Sequence, residues 1–396
     1  MFLCMSLPRF SFLFFLFMLL ADLVPGQSVG GRTCPKITTR KEWRQLSRET
    51  QASYIKAVKC LTTKPATLRT RFRLRRYDDF QYVHSTLYMQ VHFVARFLPW
   101  HRHIVFLYEQ ALRECGYQEG VPHWDWSLDA ADASRSPVFS SDPQVGFGGN
   151  GTGRVDPRLP DDGGAVQTGA FSNFQLIHPI PHLLHRKFDA MLELSSNNVP
   201  YLGEFYSKSK IAEIQKTSDF LNYSNNIEGQ NPMIFPDAPS APHAAIHIFI
   251  GGEMPHSVYA ANEVSLSPNI KGRKIIFIEV LIDDEFDLKT SVVPPYCRLF
   301  FLHHAHIDKL WADWQRQDWK NRKRAYHGNN VRGDQTEDAS IDDKMPFLGL
   351  GGQDPTVLSV MDTTAYPYCY TFLERIILRD DRCVEPDEGS WCRCPS

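Results

Sequence analysis

Four of the fifteen histidines of this 396-residue chain lie within twenty residues, in the segment HSTLYMQVHFVARFLPWHRH that runs from His84 to His103. The rest of the segment consists mainly of apolar and aromatic side chains, which favour a protein core. One buried histidine is usually a core residue with a hydrogen-bond partner. Several imidazoles that converge on one point instead indicate a metal site, because the neutral imidazole is a common metal ligand.

His92 and His101 are nine residues apart, half a turn out of phase on an ideal helix, so one straight helix cannot aim both at one point. Pro99 predicts a bend, because it disfavours helix at Leu98 and suits the first turn of a helix that carries His101. His84 precedes His92 by one short helix. The sequence therefore predicts a helix, a bend and a second helix that present His84, His92 and His101 to one metal ion.

A second pair, His243 and His247, lies one helical turn apart on one face. Pro242 fits the first position of a short helix, and Gly251 fits its end. Two histidines at this spacing are a common metal-binding arrangement. Ala244 follows the first histidine, where the zinc-protease motif H-E-x-x-H requires glutamate, so the pattern disfavours a zinc protease.

A third group follows Phe300 in the sequence FFLHHAHIDKLW. His304 can point inward, because it shares a helical face with Ile307, Asp308, Trp311 and Gln315. Asp308 could orient a ligand through a hydrogen bond or form an ordinary helix salt bridge, and His303 is a further candidate for holding a ligand in place. Three imidazoles from each half of the chain, with no thiolate or carboxylate, suit copper well and zinc or iron less distinctively.

Two blocks of sequence resemble the copper motifs of the tyrosinase and catechol oxidase family. His92-x4-Phe-Leu-Pro-Trp-His101, with the residues around it, is similar to the first motif, and the block from Phe300 to Trp311 is similar to the second. The pair His243 and His247 stands where that family has two further ligands. The resemblance extends from about residue 41 to residues 366–370, and it is strongest to the short, secreted fungal members.

The resemblance implies a mainly α-helical domain with a central four-helix bundle that holds a type-3 dicopper site, with long loops and little β-structure. It implies two copper ions as cofactors, with a small phenolic molecule and O2 as substrates. One copper would be held by His84, His92 and His101, and the other by His243, His247 and His304.

The implied activity is oxidation of o-diphenols to o-quinones, with o-aminophenols and monophenols as further substrate classes. Gln90 stands where some relatives have a cysteine that cross-links to histidine, and Ala244 where relatives with strong monophenol activity often have asparagine. The glutamate that positions a water near the second copper has no match, and Glu228 and Asp237 are the nearest carboxylates. These departures favour diphenol oxidation over monophenol hydroxylation.

Two other functions remain open at this point. A type-3 copper protein can bind O2 or a phenol without turnover, and catechol turnover with O2 uptake would distinguish an enzyme from such a carrier. An inactive homologue could have its second copper site disrupted by residues 270–298, which interrupt the second motif as an insertion. That segment is either a loop beside the site or a translated intron, and sequencing the transcript decides between them.

The first 26 residues read as a signal peptide, with Arg9 before an apolar run that is too short to span a membrane. We expect a domain at 27–372, a cysteine-containing tail at 373–396, and secretion without a membrane anchor after cleavage. Eight cysteines would remain, an even number that indicates disulfides in an oxidising compartment. The sequons at Asn150 and Asn222 fit the same route. A formal net charge of −2 gives no sign of nucleic-acid binding.

Overall fold

The computed structural model describes residues 32–158, 163–178, 180–189, 201–229, 241–252, 299–334 and 336–373. The predicted signal peptide, the segment 270–298 with its strand-like run at 275–282, and residues 374–396 of the predicted tail lie outside these residues. Asp237 lies outside them as well.

The described chain is mainly α-helical, as predicted. Its eight α-helices within the described residues are α1 (Arg48–Leu61), α2 (Arg76–Val91), α3 (Phe97–Glu114), α4 (Lys208–Ile214), α5 (Phe220–Glu228), α6 (Pro242–Ile250), α7 (Phe300–Gln317) and α8 (Trp319–Arg322). Short 3-10 turns connect several of them, including one at Trp126–Asp129.

The described β-structure is limited to short pairs of strands. β1 (Thr38–Arg40) and β6 (Tyr370–Phe372) pair in parallel and join the two ends of the described chain. Four strands of two residues form two further antiparallel pairs: β2 (Gly164–Ala165), β3 (Gln175–Leu176), β4 (His182–Leu183) and β5 (His185–Arg186).

Two helices form the centre of the core. Fifteen of the eighteen residues of α3 are buried, and fourteen of the eighteen in α7. A helix that is buried on nearly all sides belongs in the interior of a domain. The two helices are in direct contact through Tyr108 and Phe301, whose stacked ring centroids are 3.4 Å apart. α1 and α2 also pack on α3, and α6 packs on α7.

Two disulfides tie this core to its surroundings. Cys60 at the end of α1 bonds to Cys115, the residue that follows α3. Cys34 bonds to Cys369 beside the β1–β6 pair. These bonds agree with the prediction of disulfides, whose pairing the sequence left open. None of the described helices is long and apolar enough to cross a membrane.

Candidate metal centre

The first histidine cluster is built on α2, α3 and the turn between them. His84 lies in the middle of α2, His92 is the residue that caps its C-terminal end, and His101 lies in the second turn of α3. The chain reverses between the helices, where Phe93 takes a left-handed conformation with φ of 57°. This turn allows histidines that are out of phase on one helix to face each other.

The bend therefore lies a few residues before its predicted position. Pro99 is in the first turn of α3, as predicted, but Leu98 is already helical because α3 begins at Phe97. The first N–H groups of a helix have no partner within it, so proline is tolerated there without a kink. The chain instead reverses its direction in the residues between His92 and Phe97.

The ring nitrogens of the first cluster are close enough to share one ion. Nε2 of His84 is 3.1 Å from Nε2 of His92 and 3.4 Å from Nε2 of His101. One nitrogen from each ring lies within 4.8 Å of those of the other two. All three side chains are about 1% exposed.

Two of these rings are held by hydrogen bonds at Nδ1, the nitrogen that faces away from the cluster. Nδ1 of His101 donates to the carbonyl oxygen of Phe97 at 2.8 Å, so the lone pair of His101 is on Nε2. Nδ1 of His92 is 2.8 Å from Oε1 of Glu228, the last residue of α5. The other carboxylate oxygen of Glu228 accepts the backbone N–H of Phe93 at 2.9 Å. Glu228 thus holds both the ring of His92 and the left-handed turn that follows it.

Glu228 is 2% exposed, and burial raises its pKa well above the usual range, against the lowering effects of the Phe93 N–H and of Arg332. The position of one proton decides whether Nδ1 of His92 or Oε1 of Glu228 donates the hydrogen bond between them. A cation at Nε2 of His92 would favour the form with this proton on Nδ1 and a charged carboxylate.

The second cluster is built on α6 and α7. Pro242 is the first residue of α6, and Gly251, with φ of 56°, ends it, both as predicted. His243 and His247 are one turn apart on this helix, with ring centroids separated by 4.5 Å. α7 adds His303 and His304, and one nitrogen from each of the four rings lies within 4.8 Å of the others.

The two clusters adjoin each other. The ring of His101 stacks on the ring of His304, with a centroid distance of 4.2 Å and an interplanar angle of 13°. The rings of His92 and His243 are also stacked, at 5.6 Å. Phe97 and Phe300 each pack against rings of both clusters. The arrangement therefore suits a pair of neighbouring ions in an apolar interior.

The chemistry of the donor set fits metal binding. Among the described residues, both ring nitrogens of His243 and of His304, and Nδ1 of His84, are buried without a hydrogen-bond partner. Buried polar atoms without partners are costly, and a metal ion would remove that cost by taking the lone pairs.

Burial lowers the pKa of these imidazoles, to about 3 for His101 and well below the usual value for His84, His92, His243 and His304. The rings are therefore neutral at pH 7, as ligation requires. The two clusters consist of imidazole nitrogens alone, a set that copper accepts readily.

Asp308 does not orient a histidine ligand, which is one of the two roles that the sequence allows for it. Its carboxylate accepts hydrogen bonds from Arg102 (2.6 Å), Arg40 (2.9 Å) and the Tyr370 hydroxyl, and none from a histidine among the described contacts. Arg40 also bonds to Glu109. Asp308 therefore stabilises the packing of β1, α3 and α7 through buried ion pairs. These partners come from distant segments and not from the helix of Asp308, so the contacts differ from an ordinary helix salt bridge as well.

Two contacts of the site have no counterpart in the sequence-based predictions: that of Glu228 with His92 and that of Trp126 with His303. The sequence offers Glu228 only as a carboxylate near the second copper, whereas its hydrogen bond is to the first cluster. Trp126 donates its indole N–H to Nδ1 of His303 at 3.2 Å. Neither contact follows from a fixed spacing, because both depend on how distant segments pack.

Comparison with known proteins gives the family. Residues 74–264 match the model of the common central domain of tyrosinase. The tyrosinase-like protein phomQ1 of Diaporthe leptostromiformis is 32% identical over 357 residues, which cover 86% of this chain and 78% of that protein. The N-acetyl-6-hydroxytryptophan oxidase ivoB of Emericella nidulans is 28% identical, and the alignment covers 85% of this chain and 92% of that protein. A polyphenol oxidase structure from Thermothelomyces thermophila aligns with a TM-score of 0.64 and 25% identity. The alignment covers 87% of this chain and 91% of that one.

The fold and the paired histidine clusters are those of a type-3 copper protein. This chain belongs to the tyrosinase family. The family implies a dicopper centre, and the two clusters are the groups of side chains that could hold it.

Proposed function

We propose that this chain is a secreted, copper-dependent oxidase that converts o-diphenols to o-quinones with O2. In this proposal His84, His92 and His101 hold one copper, and His243, His247 and His304 hold the other. The observation that carries it is the direct stacking of His101 on His304, which brings one cluster against the other within a tyrosinase-family domain.

When bound, the two copper ions would supply the redox chemistry: four electrons from two catechols reduce one O2 to two waters. The protein's own part is to hold the imidazoles and exclude water. The rings are buried and neutral, so they offer lone pairs without first losing a proton. The apolar walls at Phe97 and Phe300 keep bulk water away from the reacting atoms.

Diphenols are the preferred substrate class in this proposal, with o-aminophenols and monophenols as further classes. Ala244, half-buried beside His243, offers no polar side chain to a phenolic hydroxyl. One relative is named as an oxidase of N-acetyl-6-hydroxytryptophan, a phenolic compound, which supports including hydroxyindoles among the substrates to be tested.

The test is an aerobic assay of copper-loaded protein with a catechol, the matching o-aminophenol, the matching monophenol and N-acetyl-6-hydroxytryptophan. We expect O2 uptake with the catechol and slower uptake with the monophenol. Two coppers per chain without any O2 uptake would contradict the proposal in favour of a binding protein. One copper per chain would contradict it in favour of a homologue with a disrupted second site.

A further inference from the structure

The second cluster contains one histidine more than a three-histidine site needs. His303 and His304 are adjacent on α7 and both are fully buried. The ring of His303 is 5.3 Å from that of His243 and 5.1 Å from that of His247, and the corresponding distances for His304 are 5.2 Å and 5.9 Å. Proximity alone therefore does not decide which of the two rings binds a metal.

The hydrogen bond from Trp126 does decide it. An indole N–H can only donate, so Nδ1 of His303, at 3.2 Å from Nε1 of Trp126, must accept with its lone pair. A neutral imidazole carries one proton, which must then be on Nε2. One nitrogen of His303 is occupied by the indole, and the other carries a hydrogen that has no acceptor among the described residues, so neither offers a lone pair to a metal ion.

Trp126 is held firmly enough to impose this state. It is fully buried, it begins a 3-10 turn, and its ring packs edge-on against His306 at 4.6 Å and against Tyr206 at 5.9 Å. The indole cannot rotate away without disturbing this packing.

His101 shows the opposite arrangement. Its Nδ1 faces the carbonyl oxygen of Phe97, which can only accept, so the proton is on Nδ1 and the lone pair is on Nε2. A histidine that binds metal usually donates its other N–H in this way. The two neighbours, a carbonyl acceptor and an indole donor, therefore assign opposite tautomers to the two rings.

We propose that Trp126 is a positioning residue that keeps His303 off the second copper by fixing its tautomer, and so leaves that copper with three imidazoles and an open position for substrate. Metal sites in which protein ligands fill every position are structural, whereas catalytic sites keep one open. The role of the open position rests on the proposed function, but the tautomer of His303 does not.

The first test uses metal-free protein labelled with 15N-histidine, in which two-bond 1H–15N NMR spectra distinguish the two tautomers. We expect His303, assigned by the loss of its signals in His303→Gln, to carry its proton on Nε2. In Trp126→Phe the proton should redistribute toward Nδ1. A proton on Nδ1 of His303 in the wild-type protein would overturn the proposal, whatever the enzyme's activity.

The second test compares Trp126→Phe with Trp124→Phe, a matched control. Trp124 is equally buried, but its indole donates to Asp129. In crystals loaded with zinc, a nitrogen of His303 should approach the second metal to about 2.0–2.1 Å in Trp126→Phe, and in neither the control nor the wild type.

With copper, KM for a catechol should rise roughly tenfold in Trp126→Phe and stay within about threefold in Trp124→Phe. The double variant Trp126→Phe/His303→Gln should recover the wild-type KM. If His303 stays off the metal in Trp126→Phe, or if both tryptophan variants behave alike, the proposal is wrong. Failure of the proposed function would appear differently, as wild-type protein without O2 uptake while the tautomer and zinc results stand.

Discussion

The two histidine clusters differ in how the protein holds their rings. In the first, the carbonyl of Phe97 and the carboxylate of Glu228 lie behind His101 and His92, and the ring of His84 packs against Trp100 and Phe300. In the second, Trp126 donates a hydrogen bond to His303, the ring that we propose does not bind copper.

This difference indicates that the first cluster is oriented by the protein before any metal arrives. His243 and His304 have no described hydrogen-bond partner at either nitrogen, so helix packing sets their positions. Acceptors behind a ligand raise its basicity and fix its ring, and they usually contribute to metal affinity. We therefore expect the copper affinities of the two sites to respond differently when a hydrogen-bond partner of a histidine is replaced. They should respond similarly when a histidine itself is removed.

Removing one ring from either cluster should have the largest effect. His101→Ala and His304→Ala should each leave about one copper per chain and lower kcat/KM for a catechol at least ~1000-fold, because both ions are needed for the four-electron reduction of O2. Metal analysis and O2 uptake measure the two effects.

His327→Ala is the control for these variants, since that half-exposed histidine is paired with Asp219 away from both clusters. It should keep two coppers and full activity. Retention of both coppers in His304→Ala would show that this ring is not a ligand.

Replacing Glu228 with glutamine should distinguish the clusters. The amide has one acceptor oxygen for the two donors that Glu228 serves, and the backbone N–H of Phe93 cannot reverse its direction. The amide NH2 then faces Nδ1 of His92 and moves the proton of that ring to Nε2, where it blocks a metal.

Competition with a chelator should show copper affinity lowered by about 10–100-fold in the first site alone. Glu213→Gln, at an exposed carboxylate paired with Lys210, is the matched control and should change neither site. Equal weakening of both sites in Glu228→Gln would mean that the substitution acts through the fold.

Acid should destabilise the metal-free protein. The pKa values of His101 and His103 are lowered to about 3 by burial, whereas in an unfolded chain histidine titrates near 6.5. The unfolded state therefore binds protons that the folded state does not, and stability falls as pH drops below about 6.5.

Each of these two histidines contributes about 1.4 kcal/mol per pH unit, so together they account for about 4 kcal/mol of the fall in the free energy of unfolding between pH 7 and pH 5. The other buried histidines of the clusters, whose pKa values are also lowered, add to this fall. Urea denaturation at a series of pH values measures this. His103→Gln should reduce the slope without reducing the copper content, because His103 bonds to Tyr368 outside both clusters. If the free energy of unfolding depended on pH equally in His103→Gln and in the wild type, burial of His103 would not be a cause of the acid destabilisation.

The smallest effect on the site is expected from the disulfide that joins the end of α1 to the end of α3. Cys60→Ala/Cys115→Ala opens a loop of 55 residues and should lower the free energy of unfolding by about 2–5 kcal/mol. The double variant should still bind two coppers, because the histidine-bearing part of α3 lies at the other end of the helix. Loss of copper from the folded variant at room temperature would show that the disulfide helps to set the first cluster.

The sequence predicted those parts of the site that depend on local spacing. The turn spacing of His243 and His247, with Pro242 and Gly251 at the helix ends, is a local signal, and the structure shows that helix. Pro99 predicts the bend before α3 at Leu98, which is too late in the chain. It uses a left-handed Phe93 instead, and an aromatic residue gives no sequence signal for that conformation.

Contacts between distant segments could not be predicted from spacing. Glu228 is 136 residues from His92, and Trp126 is 177 residues from His303. Each contact depends on how a helix end or a turn packs against the histidine helices. Resemblance to the family joined the pair on α6 to His304, but it did not say which neighbour holds each ring.

If the proposal is right, two coppers bind side by side, each to three imidazoles. Anomalous diffraction at the copper edge, from crystals of the copper-loaded protein, locates them and identifies their ligands. We expect two peaks, one coordinated by His84, His92 and His101 and the other by His243, His247 and His304, with His303 bound to neither. A single peak, or a second peak coordinated by His303 in place of His304, would contradict it.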